Sequence, residues 1–261
     1  MADNINILVA EDFEFNQLVI KQLLKELSFR FLIVNNGKEV LEQLAEQKFD
    51  IVFMDIEMPV MDGIETIRAM KSSALQESTQ IPVVGFTGHK DPSFIAELRK
   101  QGFVDFIAKP FRKEEILRII NQYVIKSDIV DENDQPQGLP NEDKNNTLYD
   151  LTNLRAFSDN DEEFVVKMLS YFIENSPKVI MRMREYFDES NWDQLKMEAH
   201  KFNSELGLLG IGEMLRLSEK IEEGASSMTD LEKLSTHIGL LKVQGEKVVD
   251  KLKSDFEITI K

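Results

Sequence analysis

The sequence contains no cysteine among its 261 residues, which excludes a disulfide framework and a thiolate metal site. It also has no apolar run that approaches the roughly 20 residues of a membrane-spanning helix. Basic residues are scarce, since 31 Lys and Arg stand against 47 Asp and Glu, for a net charge of −16. Nucleic-acid binding needs a concentrated basic face, and the chain has no Lys/Arg cluster of that kind. We therefore expect no nucleic-acid partner.

The chain is long enough for two ordinary domains, each with its own core. It begins MADNINILVAED and enters an apolar, strand-like run almost at once, which predicts that no signal peptide precedes that run. Since no apolar run reaches membrane-spanning length, we expect a soluble, cytoplasmic protein without membrane contact.

The first part of the chain, residues 1–126, alternates strand-like with helix-like segments. The strand-like runs are INILVA, FLIV, IVFMD, IPVVGFT and VDFIA, and a stretch with helical periodicity follows each of them. Buried parallel strands read as short apolar runs of this kind. The repeated order predicts an α/β fold, a doubly wound five-stranded parallel sheet with helices on both faces.

The rest of the chain has a different character. Residues 127–147 are acidic and contain two prolines and one glycine, which predicts a flexible linker. In residues 148–261 helical periodicity replaces the strand signals, with breaks expected at Ser190-Asn191, Gly210-Ile211-Gly212 and Gly224-Ala225-Ser226. This spacing predicts an all-α antiparallel helical bundle, a second domain.

A polar residue stands where each of four strand-like runs ends: Asp12, Asp55, Thr87 and Lys109. Ligands of open α/β sheets bind just beyond the carboxyl ends of the strands, so we expect these side chains to converge. Glu11 precedes Asp12 and adds a third carboxylate. Three neighbouring carboxylates repel one another, and a hard cation such as Mg²⁺ relieves that repulsion.

These residue types together predict a phosphoryl acceptor. Asp55 is the expected nucleophile, because a carboxylate can form an acyl phosphate. Mg²⁺ and Lys109 would supply positive charge, Thr87 a hydroxyl for a phosphoryl oxygen, and the backbone carbonyl of Glu57 a further metal ligand. A bond to Thr87 would pull the following loop inward, and Phe106 could turn into the vacated space. A lone Asp at a strand end is usually a turn or cap, so the prediction depends on the whole set.

Residues 3–126 resemble a response-regulator receiver domain, through the motifs ILVAED, FMDIEMPVMDG, GFTG and FIAKPF. The resemblance implies a flavodoxin-like fold. It also implies roles for the gathered residues: Asp55 as phosphoacceptor, Glu11 and Asp12 as metal ligands, Thr87 with Phe106 as a switch pair, and Lys109, ahead of a cis bond to Pro110, as a phosphoryl contact. Gly88 departs from the family, which usually has a small residue with a β-carbon there.

One histidine of the helical part stands apart from the apolar stripe. At 100° per residue, a buried stripe forms from Leu195, Ala199, Phe202, Leu206 and Leu209. His200 points roughly 140° from that stripe on the same wheel, so we expect it to face solvent. An exposed histidine is usually an ordinary surface residue, but a neutral imidazole is nucleophilic and can exchange a phosphoryl group with an aspartyl phosphate.

Residues 148–256 resemble a histidine phosphotransfer (Hpt) domain, through LTNLRAF, EEFVVKMLSYFIENSPKVIMRMREYF and NWDQLKMEAHK. The resemblance implies that His200 is the phosphorylated residue. Two positions depart from the family, because Asn203 replaces the usual lysine and Ser204 the usual glycine. The expected neighbours of the ring are Lys196, Lys201, Asn203, Ser204 and Gly207, and the two lysines can compensate for the missing charge.

The leading hypothesis is a phosphorelay protein. An upstream histidine kinase would phosphorylate Asp55, and the group would pass to His200 and then to a downstream receiver domain. A linker of about 20 residues spans very roughly 25 Å, so contact between the two domains of one chain is feasible. The chain carries no ATP-binding kinase motif, so we expect phosphotransfer without kinase activity.

Two alternatives remain open. In one, the helical domain is a degenerate scaffold that binds a partner and transfers nothing, a reading motivated by Asn203 and Ser204. In the other, the chain is the C-terminal part of a longer hybrid sensor kinase.

Overall fold

A computed structural model describes residues 5–72, 80–88, 91–109, 111–125, 147–228 and 231–259. The chain divides into two compact units, residues 1–142 and 143–261, and each is described by itself. Apart from Thr147, the predicted linker 127–147 lies outside the described residues, so its boundaries stay a prediction.

The first unit contains a five-stranded parallel sheet with strand order β2-β1-β3-β4-β5. The strands are β1 (Asn6–Ala10), β2 (Arg30–Val34), β3 (Ile51–Asp55), β4 (Val83–Thr87) and β5 (Asp105–Ala108). The helices are α1 (Glu14–Glu26), α2 (Gly37–Glu46), α3 (Gly63–Ser72), α4 (Pro92–Gln101) and α5 (Lys113–Ile120). The predicted α/β fold is confirmed, and β3 lies beside β1 as expected.

Local sequence signals explain where these elements begin. Asn36 caps α2 by accepting a hydrogen bond from the backbone N–H of Glu39, and Asp91 caps α4, whose first residue is Pro92. Strands β3 and β4 are buried along their whole length, as their apolar runs predict. The sequence predicts that the helix after β5 runs to about Ile125, but α5 ends at Ile120 and a π-helical turn, Asn121–Ile125, follows it.

The described residues of the second unit form helices and the turns between them, without a strand, as predicted. Its helices are α6 (Thr152–Phe157), α7 (Glu162–Asp188), α8 (Trp192–Leu208), α9 (Gly212–Ser227) and α10 (Leu231–Phe256). Apolar residues from α7 to α10 form its core, and the rings of Phe172 and Phe202 stack between α7 and α8 with centroids 6.2 Å apart.

One predicted helix break is wrong. We expected Gly224-Ala225-Ser226 to end a helix, but α9 runs through them to Ser227 and the chain turns at Met228, whose φ is +51°. A Cβ on Gly224 would lie 2.6 Å from Cδ2 of Leu234 on α10. The glycine therefore allows α9 and α10 to approach closely, and it does not act as a breaker.

The core of the helical unit contains an acid. Glu205 on α8 is fully buried, and among the described residues neither of its carboxylate oxygens has a hydrogen-bond partner. Burial disfavours the charged form and raises the pKa of Glu205 to about 8. Its side chain is therefore mostly protonated and neutral at pH 7 in the folded unit.

We predict that this acid makes the helical unit lose stability as pH rises. The folded state keeps the Glu205 proton up to about pH 8, whereas an unfolded carboxyl loses it near its ordinary pKa of 4.5. The free energy of unfolding should therefore fall between these pH values, by up to about 1.4 kcal/mol per pH unit from this group, and level off above them.

Urea unfolding followed by the fluorescence of Trp192 measures this effect, because the only tryptophan of the chain lies on α8. The matched variant Glu205→Gln keeps the side-chain shape and removes the titration. A difference between wild type and variant that does not change with pH would contradict the prediction.

Candidate functional site

Three carboxylates lie together at the carboxyl edge of the sheet, and we call them the acidic cup: Glu11, Asp12 and Asp55. Each offers an oxygen atom, and these atoms all lie within 4.8 Å of one another. Glu11 and Asp12 directly follow β1, and Asp55 ends β3, so the pairing of these two strands brings them together. Glu11 is fully buried, and Asp55 is 5% exposed.

A buried ammonium lies against the cup. Nζ of Lys109, which follows β5, lies 2.5 Å from Oδ2 of Asp55 and 2.9 Å from Oε2 of Glu11. Burial alone would lower the pKa of Lys109, but the two carboxylates more than offset it, so its pKa lies above the ordinary value. Lys109 therefore stays charged at the Asp55 carboxylate.

Glu11 has partners on its other side. Its Oε1 accepts hydrogen bonds from the backbone N–H of Phe13 at 3.2 Å and from Nδ2 of Asn16 at 3.1 Å. Burial raises the pKa of Glu11 to about 7, with Lys109 opposing the rise and Asp55 adding to it. Asn16 lies on the first turn of α1, and its contact with Glu11 was not predicted from the sequence.

The remaining predicted receiver residues lie on or just after β3, β4 and β5. Thr87 is buried at the end of β4, where its carbonyl accepts a hydrogen bond from the backbone N–H of Lys109 at 2.9 Å. The backbone N–H of Glu57 lies 3.4 Å from Oδ1 of Asp55. Phe106 on β5 already packs against the core. Pro110, and with it the expected cis bond, lies outside the described residues.

The donor set of the cup fits a hard divalent cation. Three carboxylates face one ammonium, and oxygen ligands of this kind are those that Mg²⁺ takes in proteins. Burial is the main cause of the raised pKa of Glu11, and the charge of Asp55 adds to it; one ammonium leaves the three carboxylates with an excess of negative charge. A bound cation would offset that excess, with Glu11, Asp12 and Asp55 as the candidate ligands.

In the helical unit, the expectation that His200 faces solvent is wrong. Its side chain is 14% exposed, because Oε1 of Glu222 on α9 lies 2.8 Å from its Nδ1. Oε2 of Glu222 accepts a hydrogen bond from Nδ2 of Asn203 at 2.6 Å. One carboxylate thus holds two residues of α8, and we call the group His200, Asn203 and Glu222 the histidine clamp.

The clamp determines which ring nitrogen can react. An ionised carboxylate only accepts hydrogen bonds, so we assign the proton of the neutral ring to Nδ1 of His200, which leaves the lone pair on Nε2. Nε2 is therefore the nucleophilic atom. The other predicted neighbours share α8 and are all partly buried: Lys196, Lys201, Ser204 and Gly207. A Cβ on Gly207 would meet nothing within 4 Å.

Comparison with known proteins identifies both units. Residues 7–121 match the family described as the response regulator receiver domain, and residues 167–248 match the Hpt domain. The chain carries a receiver domain followed by an Hpt domain. This is the domain pair of a two-component phosphorelay protein.

Curated relatives are similar to about half of the chain. The chain is 34% identical over 118 residues to the CAI-1 autoinducer sensor kinase/phosphatase CqsS of Vibrio cholerae, which covers 45% of this chain and 17% of that protein. It is 31% identical over 144 residues to hybrid signal transduction histidine kinase I of Dictyostelium discoideum, covering 53% of this chain and 8% of that protein. The chain thus spans under a fifth of either relative.

Solved structures are also similar. One is the receiver domain of sensor histidine kinase PA1611 from Pseudomonas aeruginosa, described with a coordinated magnesium ion, at 28% identity and a TM-score of 0.42. It covers 46% of this chain and 96% of that chain. Another is a co-crystal of Ypd1 and the receiver domain of Ssk1 from Saccharomyces cerevisiae, at 21% identity, a TM-score of 0.45, and coverage of 50% and 96%.

We predict that Glu222 fixes the tautomer of His200. In the wild type, two-bond ¹H–¹⁵N NMR spectra should show a proton on Nδ1 and a bare Nε2. Glu222→Ala should shift the neutral ring toward the Nε2–H form, because Nδ1 loses its acceptor. Glu219→Ala, which removes another α9 carboxylate, is the matched control and should leave the spectrum unchanged. A bare Nδ1 in the wild type would contradict the clamp.

Proposed function

We propose that this protein carries phosphoryl groups in two steps, first on Asp55 and then on His200. The single observation that carries the proposal is the contact of Lys109 with the Asp55 carboxylate inside the acidic cup. The proposal includes an upstream histidine kinase as donor, a downstream receiver domain as acceptor, and a cytoplasmic location, where a kinase can use ATP.

The receiver step is a transfer from a donor imidazole to a carboxylate. An oxygen of Asp55 attacks phosphorus, the P–N bond of the donor phosphohistidine breaks, and the imidazole leaves with the electron pair. Lys109 Nζ, 2.5 Å from Oδ2, offsets the negative charge that arrives with the phosphoryl group. A bound Mg²⁺ would supply further charge neutralisation and alignment.

The Thr87 hydroxyl supports the product of this step. It ends β4, the strand beside β3, and is buried at the same edge of the sheet as Asp55. A hydrogen bond from the hydroxyl to a phosphoryl oxygen would stabilise the acyl phosphate. The carbonyl of Glu57 remains the proposed fourth protein ligand of the cation.

The Hpt step reverses the chemistry. Nε2 of His200 attacks the phosphorus of an aspartyl phosphate, the P–O bond breaks, and the carboxylate leaves. The clamp supports this role because Glu222 keeps the Nδ1 proton in place and stabilises the positive charge that develops on the ring. Asn203, which replaces the usual lysine, orients Glu222. Lys196 and Lys201 lie on α8 with His200 and supply positive charge.

The clamp favours transfer over the scaffold alternative. A degenerate domain has no need for a carboxylate that orients one ring nitrogen, whereas an imidazole nucleophile does. The relatives are much longer proteins, so the donor, the acceptor and transfer within one chain all belong to this proposal. Since the two matched families are a receiver and an Hpt domain, we propose that ATP is not itself the donor.

We predict two chemically distinct labels. Incubated with a phosphorylated histidine kinase and Mg²⁺, the wild type should gain a base-labile label on Asp55 and a base-stable label on His200. His200→Gln should keep only the base-labile label. Asp55→Asn should lose both, unless a second receiver domain is added as donor to His200. Phosphohistidine resists base and aspartyl phosphate does not, so alkaline treatment separates them.

ATP and Mg²⁺ without a kinase are the control, and they should leave the chain unlabelled. Absence of the base-stable label from the wild type, with His200→Gln labelled equally, would support the scaffold. Absence of all label with a competent donor would contradict the proposal as a whole.

We predict that Lys109 weakens the binding of Mg²⁺ while it assists transfer. Lys109→Met removes a positive charge beside the cup and should tighten Mg²⁺ binding by at least about tenfold at low ionic strength, because a +1 and a +2 charge roughly 6 Å apart repel by about 1.4 kcal/mol even at the dielectric constant of water, about 80. The same variant should slow labelling of Asp55. Isothermal titration with Mg²⁺ measures the affinity.

Two variants control this titration. Asp12→Asn should weaken Mg²⁺ binding, because it removes a candidate ligand. Lys100→Met should leave the affinity unchanged, because Lys100 lies near the C-terminal end of α4, which runs back from the carboxyl edge of the sheet. Equal affinities for the wild type and Lys109→Met would contradict the prediction.

A further inference from the structure

A glycine in the sheet faces the ring of Phe106. Gly85 on β4 and Phe106 on β5 are register partners, so their side-chain positions lie on the same face of the sheet. A Cβ on Gly85 would lie 2.7 Å from Cδ1 and 2.8 Å from Cε1 of Phe106. The ring therefore occupies the space that any other residue at position 85 would fill.

The ring is also held from its other sides. Its centroid lies 5.5 Å from that of Phe103, whose Cδ1 would itself be 3.2 Å from a Cβ at position 85. The guanidinium of Arg99 lies 5.4 Å from the centroid of the Phe106 ring. A core residue, the glycine and a cation thus contact the aromatic group, which is partly buried.

Arg99 is itself fixed by the start of β5. It donates hydrogen bonds to the carbonyl of Val104 at 2.6 Å and to Oδ1 of Asp105 at 3.1 Å. Arg118 on α5 donates to Oδ2 of the same Asp105 at 3.1 Å. Asp105 therefore ties α4 to α5, and it keeps the guanidinium above the ring.

From these contacts we propose that Gly85 is a positioning residue that seats Phe106 inward before any phosphoryl group reaches Asp55. The inward seat is the absence of a side chain at position 85, and it does not depend on movement of Thr87. This proposal rests on the proposed function, since it concerns regulation of the same receiver domain.

The proposal changes the expected order of events. From the sequence, Phe106 is expected to turn inward after Thr87 moves, but the ring already packs against the core formed with α3 and α4. A receiver with this seat presents its α4–β5 surface in one form with or without the phosphoryl group. A β-carbon at position 85 would restore the dependence, because the ring would be driven outward.

A fluorine probe tests the seat directly. The full chain is prepared with 4-fluorophenylalanine in place of Phe106 alone, and ¹⁹F relaxation is measured with a soluble gadolinium chelate, before and after addition of Mg²⁺ and beryllofluoride. In the wild type, the fluorine should be shielded to the same extent in both states. Gly85→Ala should raise the relaxation enhancement about threefold before beryllofluoride is added.

Gly239→Ala is the matched control, because a Cβ there meets nothing within 4 Å, and it should change nothing. A wild-type fluorine that is accessible at first and shielded only after beryllofluoride would overturn the proposal. So would an unchanged enhancement in Gly85→Ala. If that variant does not fold, the wild-type comparison alone decides. Failure of beryllofluoride to bind would count against the proposed phosphorylation of Asp55, but the resting position of the ring would still be measured.

Discussion

The receiver unit depends on one buried ion cluster, in which the Lys109 ammonium lies against the carboxylates of Glu11 and Asp55. Taking charges out of water costs several kcal/mol per ion, so such a cluster persists only if each member has partners. The strand order satisfies this condition, because β1, β3 and β5 end at the same edge of the sheet. The ion cluster therefore depends on the parallel topology. A shift in any of these strands would leave a buried charge without its counterion.

The two units solve different chemical problems with the same kind of device. A carboxylate nucleophile is repelled by the carboxylates beside it. In the receiver unit, a cationic side chain from the end of another strand offsets that repulsion. An imidazole nucleophile must present the correct nitrogen, and the helical unit supplies the carboxylate of Glu222 from another helix. In both cases, the side chain that we propose as nucleophile contacts a residue distant in sequence, in a buried or partly buried setting that strengthens the interaction.

The fold and the receiver residues were predictable from the sequence because they follow short-range periodicity. Apolar runs locate the strands, and the rule for strand ends then brings Asp12, Asp55 and Lys109 to one edge. Contacts between helices do not follow from periodicity in this way. A helical wheel places His200 relative to α8, but it contains no information on which residue of α9 faces it, so Glu222 was missed and the exposure of the ring was overestimated.

Gly224 was misread for a related reason. It reads as a helix breaker, yet its role depends on Leu234 of a neighbouring helix, just as the space at Gly85 is filled by Phe106 of a neighbouring strand. The hold of Glu222 on Nδ1 has one last consequence. In the proposed relay, Glu222 would hold Nδ1 both before and after a phosphoryl group binds Nε2, so the imidazole would keep one orientation in both states. Net flow through His200 would then be governed by the relative stabilities and abundances of the aspartyl phosphates that exchange with it, since the ring itself would favour neither direction.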